Sequence, residues 1–142
     1  MNKREYEILE TKENILADNN LSANCVREEL KKHKVFMVNL MASPGAGKTT
    51  LLVRTINELK DQYRIVVMEA DVDSDVDTAA VVKAGAKALQ LHTGGSCHMD
   101  ADMTMRGITA LGLDDLDVLF LENVGNLVCP AEFDVGAAKK VM

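Results

Sequence analysis

One stretch, Val35–Thr50, restricts this chain to few folds; it reads VFMVNLMASPGAGKTT. Its first seven residues are mostly apolar and predict a buried strand, and the residues after it repeat apolar side chains at helical spacing. Between them, Ala42–Thr49 has the spacing of a phosphate-binding loop, with Ala in place of the commoner first glycine. This order predicts an α/β fold of the P-loop NTPase class, with a mainly parallel sheet flanked by helices.

The residue types of the loop fit the phosphates of a nucleotide. Gly45 and Gly47 allow backbone N–H groups to turn around phosphate oxygens at the positive end of the next helix. Lys48 has the reach to contact the β and γ phosphates, and Thr49 offers a hydroxyl to Mg²⁺. We expect Lys48 to face solvent, so that its replacement costs little stability.

Acidic residues at two strand ends are predicted to lie beside this loop. The run Ala70–Asp77 follows a strand predicted at residues 64–69, and Glu122 follows four apolar residues. Because the carboxyl ends of parallel strands share one edge of the sheet, carboxylates such as Asp71 and Asp77 would stand beside bound magnesium. Glu122 matches the carboxylate that orients a magnesium-bound water. The alternatives are a solvated acidic turn with helix caps and a capped strand end.

Residues 1–34 predict a short, loosely docked helical extension, in which a turn at Asp18–Asn20 separates two helices. Residues 35–142 are predicted to form the nucleotide domain. Its strands are predicted at residues 35–41, 64–69, 88–91 and 118–121, and its helices after the phosphate loop, up to about Ala84 and at Ala101–Ala110. Four strands are few for this class, so we expect a domain that is incomplete at its C-terminus.

Composition argues against several partners. The 142 residues carry a net charge of −6 and a pI near 5.0, which does not suit nucleic acid or an anionic membrane. No apolar run approaches the length of a membrane span, and the N-terminus has no apolar core, so a cytoplasmic location is expected. Three cysteines make no disulfide framework.

Cys97, His98 and Cys129 are a candidate metal site. The first two follow the third predicted strand and Cys129 lies beyond the fourth, so all three are expected at the edge that carries the phosphate loop. Two thiolates and an imidazole suit Zn²⁺ and also Ni²⁺. Three ligands leave a site to be completed by water or by a second subunit. On the residues alone, inert core cysteines with a surface histidine remain the alternative.

Three strings together resemble the nickel-inserting GTPases of nickel–iron hydrogenase maturation, the HypB family: NLMASPGAGKTTLL, TGGSCHMDADM and LENVGNLVCPAEFDVG. The resemblance covers roughly residues 14–136. It implies a slow GTPase that forms a homodimer when GTP is bound, binds Ni²⁺ or Zn²⁺, delivers nickel to the hydrogenase large subunit and works with the small zinc protein HypA. The roles it implies are nucleotide binding by Gly45, Ala46, Gly47, Lys48, Thr49 and Thr50, magnesium binding and hydrolysis by Asp77 and Glu122, and metal binding by Cys97, His98 and Cys129. We also expect Asp71 to contribute to the nucleotide site and Lys48 to contribute to catalysis.

Two features depart from this family. Residues 1–34 contain neither the Cys-x-x-Cys-Gly-Cys nor the histidine-rich stretch that some members carry, so a nickel store is not implied. The guanine-reading Asn-Lys-x-Asp motif is also absent from these 142 residues, since Asn2-Lys3 is followed by Arg-Glu. Guanine specificity therefore rests on the resemblance.

Three other functions stay open at this point. A urease-maturation relative would be expected to show Cys-Pro-His, whereas Ala131 follows Cys129-Pro130 here. A small-substrate kinase needs arginines to clamp two phosphoryl groups, and few lie beyond the loop. The last alternative is a binding protein without turnover. For the nickel GTPase, the short distance from Glu122 to Cys129 predicts that nucleotide state and metal affinity are coupled.

Overall fold

Five parallel strands form one sheet in the computed structural model of the chain. The structure describes residues 3–41, 47–70, 78–91, 99–123 and 134–141, but not the side chains of residues 3–15 and 70. The strands are β1 (Phe36–Leu40), β2 (Ile65–Ala70), β3 (Lys87–Leu91), β4 (Val118–Glu122) and β5 (Lys139–Val141). Their order across the sheet is β3-β2-β4-β1-β5. The helices of the described residues are α1 (Lys3–Lys32), α2 (Lys48–Leu59), α3 (Thr78–Ala84) and α4 (Ala101–Leu111). The predicted α/β fold with a parallel sheet is confirmed.

The sheet has a core on each face. Helices α2 and α3 cover one face, where the buried side chains are Leu40, Leu52, Ile56, Ile65, Val67, Val81, Ala84, Ala86 and Phe120. Helices α1 and α4 pack together on the other face, over buried residues that include Val26, Leu30, Met37, Met68, Ile108, Leu119 and Leu121. Both faces are covered, which explains why the central strands read as nearly continuous apolar runs.

Helix α1 corrects the expectation of two loosely docked helices. It runs without a break from Lys3 to Lys32, through the polar residues that we read as a turn. Asn19 is buried inside this helix, and both ends of its amide group are hydrogen-bonded to other parts of the chain. Ala23, Val26 and Leu30 belong to the core on the α1 and α4 face, so this part of α1 is firmly packed. The division of the chain at residue 34 stays a prediction.

Strand β5 was missed by the sequence analysis, which predicted four strands. Its three residues pair in parallel with β1, with Val38 opposite Lys139 and Leu40 opposite Val141. All three are exposed, and the segment Lys-Lys-Val has neither an apolar run nor an alternating pattern. The pairing adds hydrogen bonds such as that from Met41 N to Val141 O at 2.8 Å. This strand exists because β1 presents a free edge to it.

Candidate nucleotide site at the carboxyl edge of the sheet

Lys48 is the first residue of α2, where the phosphate loop ends. Gly47 before it has φ +91°, a left-handed conformation that favours glycine. The Lys48 side chain is 2% exposed, and its Nζ donates to Glu122 Oε1 at 2.6 Å. The expectation that Lys48 faces solvent is therefore wrong. Glu122 is itself fully buried at the end of β4, and a buried carboxylate needs a nearby cation or hydrogen-bond donors.

A second buried carboxylate, Glu69, lies next to Glu122. The two glutamates are opposite one another in the register of β2 and β4, and both are 0% exposed. Side chains of in-register residues on adjacent strands share a face about 5 Å apart. Thr78 Oγ1, in the first turn of α3, donates to Glu69 Oε2 at 2.7 Å. Glu69 thereby connects β2 to the start of α3 across the acidic run.

The sequence analysis did not select Glu69, although a signal was present. Glu69 follows the apolar residues Ile65–Met68 as Glu122 follows Val118–Leu121. The reasoning applied to Glu122, that a carboxylate at the end of a buried strand needs a partner there, would have selected both.

The described side chains of this edge offer ligands of the kind that Mg²⁺ prefers. Thr49 is half-buried in the first turn of α2, directly after Lys48, and Thr50 beside it is exposed. A hydroxyl and two carboxylates are hard oxygen donors, the class that suits Mg²⁺. The donor set therefore fits the magnesium role predicted for Thr49 and Glu122, and the role itself stays a prediction.

The next residue along the chain, Asn123, faces the opposite layer. Its backbone N donates to Leu40 O at 3.1 Å, which extends the pairing of β1 and β4. Its side-chain Nδ2 donates to Asn39 Oδ1 at 3.2 Å, and its Oδ1 accepts from Met99 N at 3.0 Å. Asn39, Met99 and Asn123 are all 0% exposed. Consecutive residues thus contact the phosphate-loop lysine on one face and the chain after His98 on the other.

The remaining predicted site residues lie outside the described residues: Gly45, Ala46, Asp71, Asp77, Cys97, His98 and Cys129. Their assigned roles stay predictions. Among the residues that are described, no group of three His, Cys, Asp or Glu side chains could hold a metal ion. Within those same ranges, no helix is both long enough and apolar enough to cross a bilayer.

A phosphate-loop sequence that leads into a helix, with its lysine paired to a carboxylate at the carboxyl edge of a parallel sheet, defines a P-loop nucleotide-binding protein. The model of the CobW/HypB/UreG nucleotide-binding domain matches residues 36–140, and the chain belongs to this family. The resemblance to HypB proteins that the sequence motifs predicted is confirmed by the relatives below.

The hydrogenase maturation factor HypB of Rhizobium leguminosarum bv. viciae is 44% identical over 95% of this chain and 45% of its own length. The crystal structure of hydrogenase maturation factor HypB from Archaeoglobus fulgidus has a TM-score of 0.78 at 39% identity, over 88% of this chain and 61% of that one. HypB from Helicobacter pylori in complex with nickel has a TM-score of 0.72 at 35% identity, over 87% and 58% of the two chains. The chain thus spans about half the length of its relatives.

Proposed function

We propose that this chain binds and slowly hydrolyses GTP and uses this cycle to deliver nickel during hydrogenase maturation. The observation that carries the proposal is the buried pair of Lys48 and Glu122, at 2.6 Å, where the phosphate-loop sequence enters α2. An ammonium group held there can exchange its carboxylate partner for the phosphate oxygens of a nucleotide. Membership of the nucleotide-binding family and similarity to HypB proteins support this function.

The proposed exchange of partners at Lys48 gives roles to the side chains around it. When Lys48 contacts the β and γ phosphates, the Glu122 carboxylate becomes available to accept a proton from the attacking water or to orient it. Glu69 accepts from Thr78 and lies beside Glu122 in the strand register, so a second carboxyl group faces the same space. Thr49 would hold a magnesium ion, which would supply positive charge to the nucleotide phosphates.

The cargo is assigned to Cys97, His98 and Cys129, as Ni²⁺ or Zn²⁺. Thiolates and imidazole are the ligands that both ions accept, and the HypB from Helicobacter pylori is described in complex with nickel. The expected partners are a second copy of the chain when GTP is bound, a HypA-like zinc protein and the hydrogenase large subunit, in the cytoplasm. That the Rhizobium leguminosarum and Archaeoglobus fulgidus relatives are named hydrogenase maturation factors favours this function over the kinase alternative.

Turnover of GTP and ATP, measured with and without Ni²⁺, tests the enzymatic part. Glu122→Gln keeps the shape of the side chain and a hydrogen-bond acceptor for Lys48, so the variant should still bind GTP. Its hydrolysis of GTP should be slower by about 10²-fold or more. The matched control is Glu58→Gln, an exposed glutamate of α2, which should leave turnover unchanged. Wild-type turnover in Glu122→Gln would contradict the catalytic assignment.

The metal part is tested by Ni²⁺ titrations of the protein with GDP and with a non-hydrolysable GTP analogue. If nucleotide and metal sites are linked, the two affinities should differ by roughly 5- to 150-fold, the usual size of allosteric coupling. Cys129→Ala should remove the difference while nucleotide binding is kept. Equal Ni²⁺ affinities in both states would contradict a nucleotide-switched delivery of metal.

A further inference from the structure

Glu69 occupies the end of β2 as Glu122 occupies the end of β4, on the face of the sheet that α2 and α3 cover. The two residues are opposite one another in the strand register, and neither is exposed to solvent. Residues paired in this way on adjacent strands stand about 5 Å apart and point to the same side of the sheet. The fold therefore buries two carboxyl groups side by side at its carboxyl edge.

Lys48 reaches this pair of glutamates from the first turn of α2. Its Nζ donates to Glu122 Oε1 at 2.6 Å, and both side chains are buried. A nearby ammonium group offsets the cost of burying a carboxylate, and that cost returns when the ammonium group leaves. The stability of this edge therefore depends on where the positive charge of Lys48 lies.

Thr78 holds the second carboxyl group. Its Oγ1, in the first turn of α3, donates to Glu69 Oε2 at 2.7 Å. A hydroxyl group supplies a hydrogen bond but no positive charge. This contact therefore orients the Glu69 carboxyl group beside Glu122 without neutralising it.

A bound nucleotide would change the balance of charge at this edge. When phosphate oxygens take the Lys48 ammonium group from Glu122, the carboxyl groups of Glu69 and Glu122 stay buried about 5 Å apart. Two carboxylates that share a buried site repel each other, unless a cation joins them or one of them takes up a proton. Nucleotide binding then becomes more favourable when a second cation arrives with the phosphates.

Magnesium is the cation that the donors of this edge suit. The hydroxyl of Thr49 and the two carboxyl groups are hard oxygen donors. A divalent ion also brings more positive charge than the departure of one ammonium group removes. Glu69 does not have to be a ligand of this ion, because charges about 5 Å apart interact through space.

We propose that Glu69 makes nucleotide binding depend on a divalent cation: with Glu122 it leaves a buried negative charge when Lys48 pairs with phosphate, and magnesium compensates for that charge. This inference rests on the proposed function, which places a nucleotide at Lys48. Glu69 lies outside all three sequence strings that resemble the HypB family. Its role follows instead from its position beside Glu122 in the sheet.

A purely structural role is the alternative, in which Glu69 only anchors the start of α3 through Thr78. The two roles predict different measurements. A structural residue affects nucleotide affinity equally with and without magnesium. A charge that magnesium compensates affects mainly the affinity measured without magnesium.

The test is a GDP titration of the protein and of Glu69→Gln, each with saturating Mg²⁺ and again with excess EDTA. Glutamine keeps the size of the side chain and an oxygen that accepts from Thr78, but it carries no charge. The dissociation constant in EDTA divided by that in Mg²⁺ measures the dependence on magnesium. We expect this ratio to fall about 10-fold or more in Glu69→Gln, mainly through tighter binding in EDTA, because unit charges about 5 Å apart interact by more than this at protein sites. Glu58→Gln, the same change at an exposed position of α2, should keep the wild-type ratio.

Thr78 gives a second measurement if Glu69→Gln does not fold. Thr78→Val removes the hydrogen bond to Glu69 and leaves its negative charge less stabilised, so the ratio should rise. Thr78→Ser keeps the hydroxyl group and should keep the wild-type ratio. An unchanged ratio in folded Glu69→Gln, or in Thr78→Val if Glu69→Gln does not fold, overturns the role of Glu69 alone, and so do equal shifts of both dissociation constants. Failure of the unmodified protein to bind GDP in Mg²⁺ overturns the proposed function as well.

Discussion

At the carboxyl edge of the sheet, the two faces bury side chains of different chemistry. On the α2 and α3 face, three ionisable side chains are buried together: Lys48, Glu69 and Glu122. On the α1 and α4 face, Asn39 and Asn123 bury only neutral amides; Asn123 donates to Asn39 Oδ1 and accepts from Met99 N. The change occurs between two consecutive residues, Glu122 and Asn123, because side chains alternate between faces along a strand.

We infer from this difference that a bound ligand can change the pairing on the first face, and that the second face holds the chain in place. Buried charges are costly, and they suit a place where an incoming anion or cation can take over the pairing. Neutral amides keep their hydrogen bonds whatever charge arrives, so they hold neighbouring segments in place. Under the proposed function, the edge therefore combines an ion pair that a nucleotide can open with neutral hydrogen bonds that it leaves in place.

Removing the lysine should have the largest effect on stability. Lys48→Ala leaves Glu122 without the ammonium group at 2.6 Å, and breaking a buried pair in this way costs about 3–5 kcal/mol. Urea denaturation measures the loss, and Lys48→Ala/Glu122→Gln should recover much of it because the buried negative charge is gone. If the urea concentration at the unfolding midpoint were the same for Lys48→Ala as for the wild type, the pair of Lys48 and Glu122 would not stabilise this face.

Gly136→Ala tests how closely the other face is packed. Its φ of +85° disfavours a side chain, and the new Cβ would lie 2.7 Å from Val26 and 2.8 Å from Ala23 O. The left-handed backbone and the overpacking together should cost about 2–4 kcal/mol. Gly107→Ala in α4 is the comparison, since its Cβ would meet the flexible ends of Leu91 and Met68 and should cost less. Equal losses in urea denaturation would argue against a rigid contact at Gly136.

Asn39→Leu tests the amide network. It removes the acceptor of Asn123 Nδ2, and it also removes Asn39 Nδ2, which is buried without a hydrogen-bond partner among the described residues, so the net loss should be about 1 kcal/mol, the size of one hydrogen bond. GDP affinity should stay at its wild-type value, because no charge of the lysine–glutamate pair is changed. Asn57→Leu, an exposed position of α2, is the control for the change in polarity. A large fall of GDP affinity in Asn39→Leu would mean that the amide network on one face affects nucleotide binding on the other.

The smallest predicted effect is a loss of stability at acid pH, caused by protonation of the Asp134 carboxylate beside α1. Burial alone raises the pKa of this carboxyl, but hydrogen bonds from Arg27 and Gly136 N outweigh it, so the pKa lies below the ordinary value of 3.8. The contribution to stability is therefore complete above about pH 4 and is lost as the pH falls through the folded-state pKa. Urea denaturation between pH 5 and about 2.5 should show a shallower loss in Arg27→Gln than in the wild type. Identical pH profiles would contradict this.

Local patterns were sufficient to predict the strand before the phosphate-loop sequence, the helix that begins at Lys48 and the position of Glu122 at the end of a strand. They failed for Lys48 itself, because the direction of its side chain depends on a glutamate 74 residues away. They failed for Asn19 for the same reason: its neighbours suggest a turn, but its two hydrogen-bond partners lie far along the chain and keep it inside a helix. Strand β5 has no pattern of its own and is defined by the edge of β1.

The strand order has a consequence for synthesis of the chain. Strand β1 pairs only with β4 and β5 among the described strands, and its first partner residue, Val118, lies about 80 residues after Phe36. At about 5–20 residues per second, a ribosome needs roughly 4–16 seconds to make that interval. During this time the nascent chain carries an apolar strand whose partner does not yet exist. Helix α1 is already complete then, and its buried side chains contact the same core as Met37, so it is the first segment able to shield β1 from aggregation.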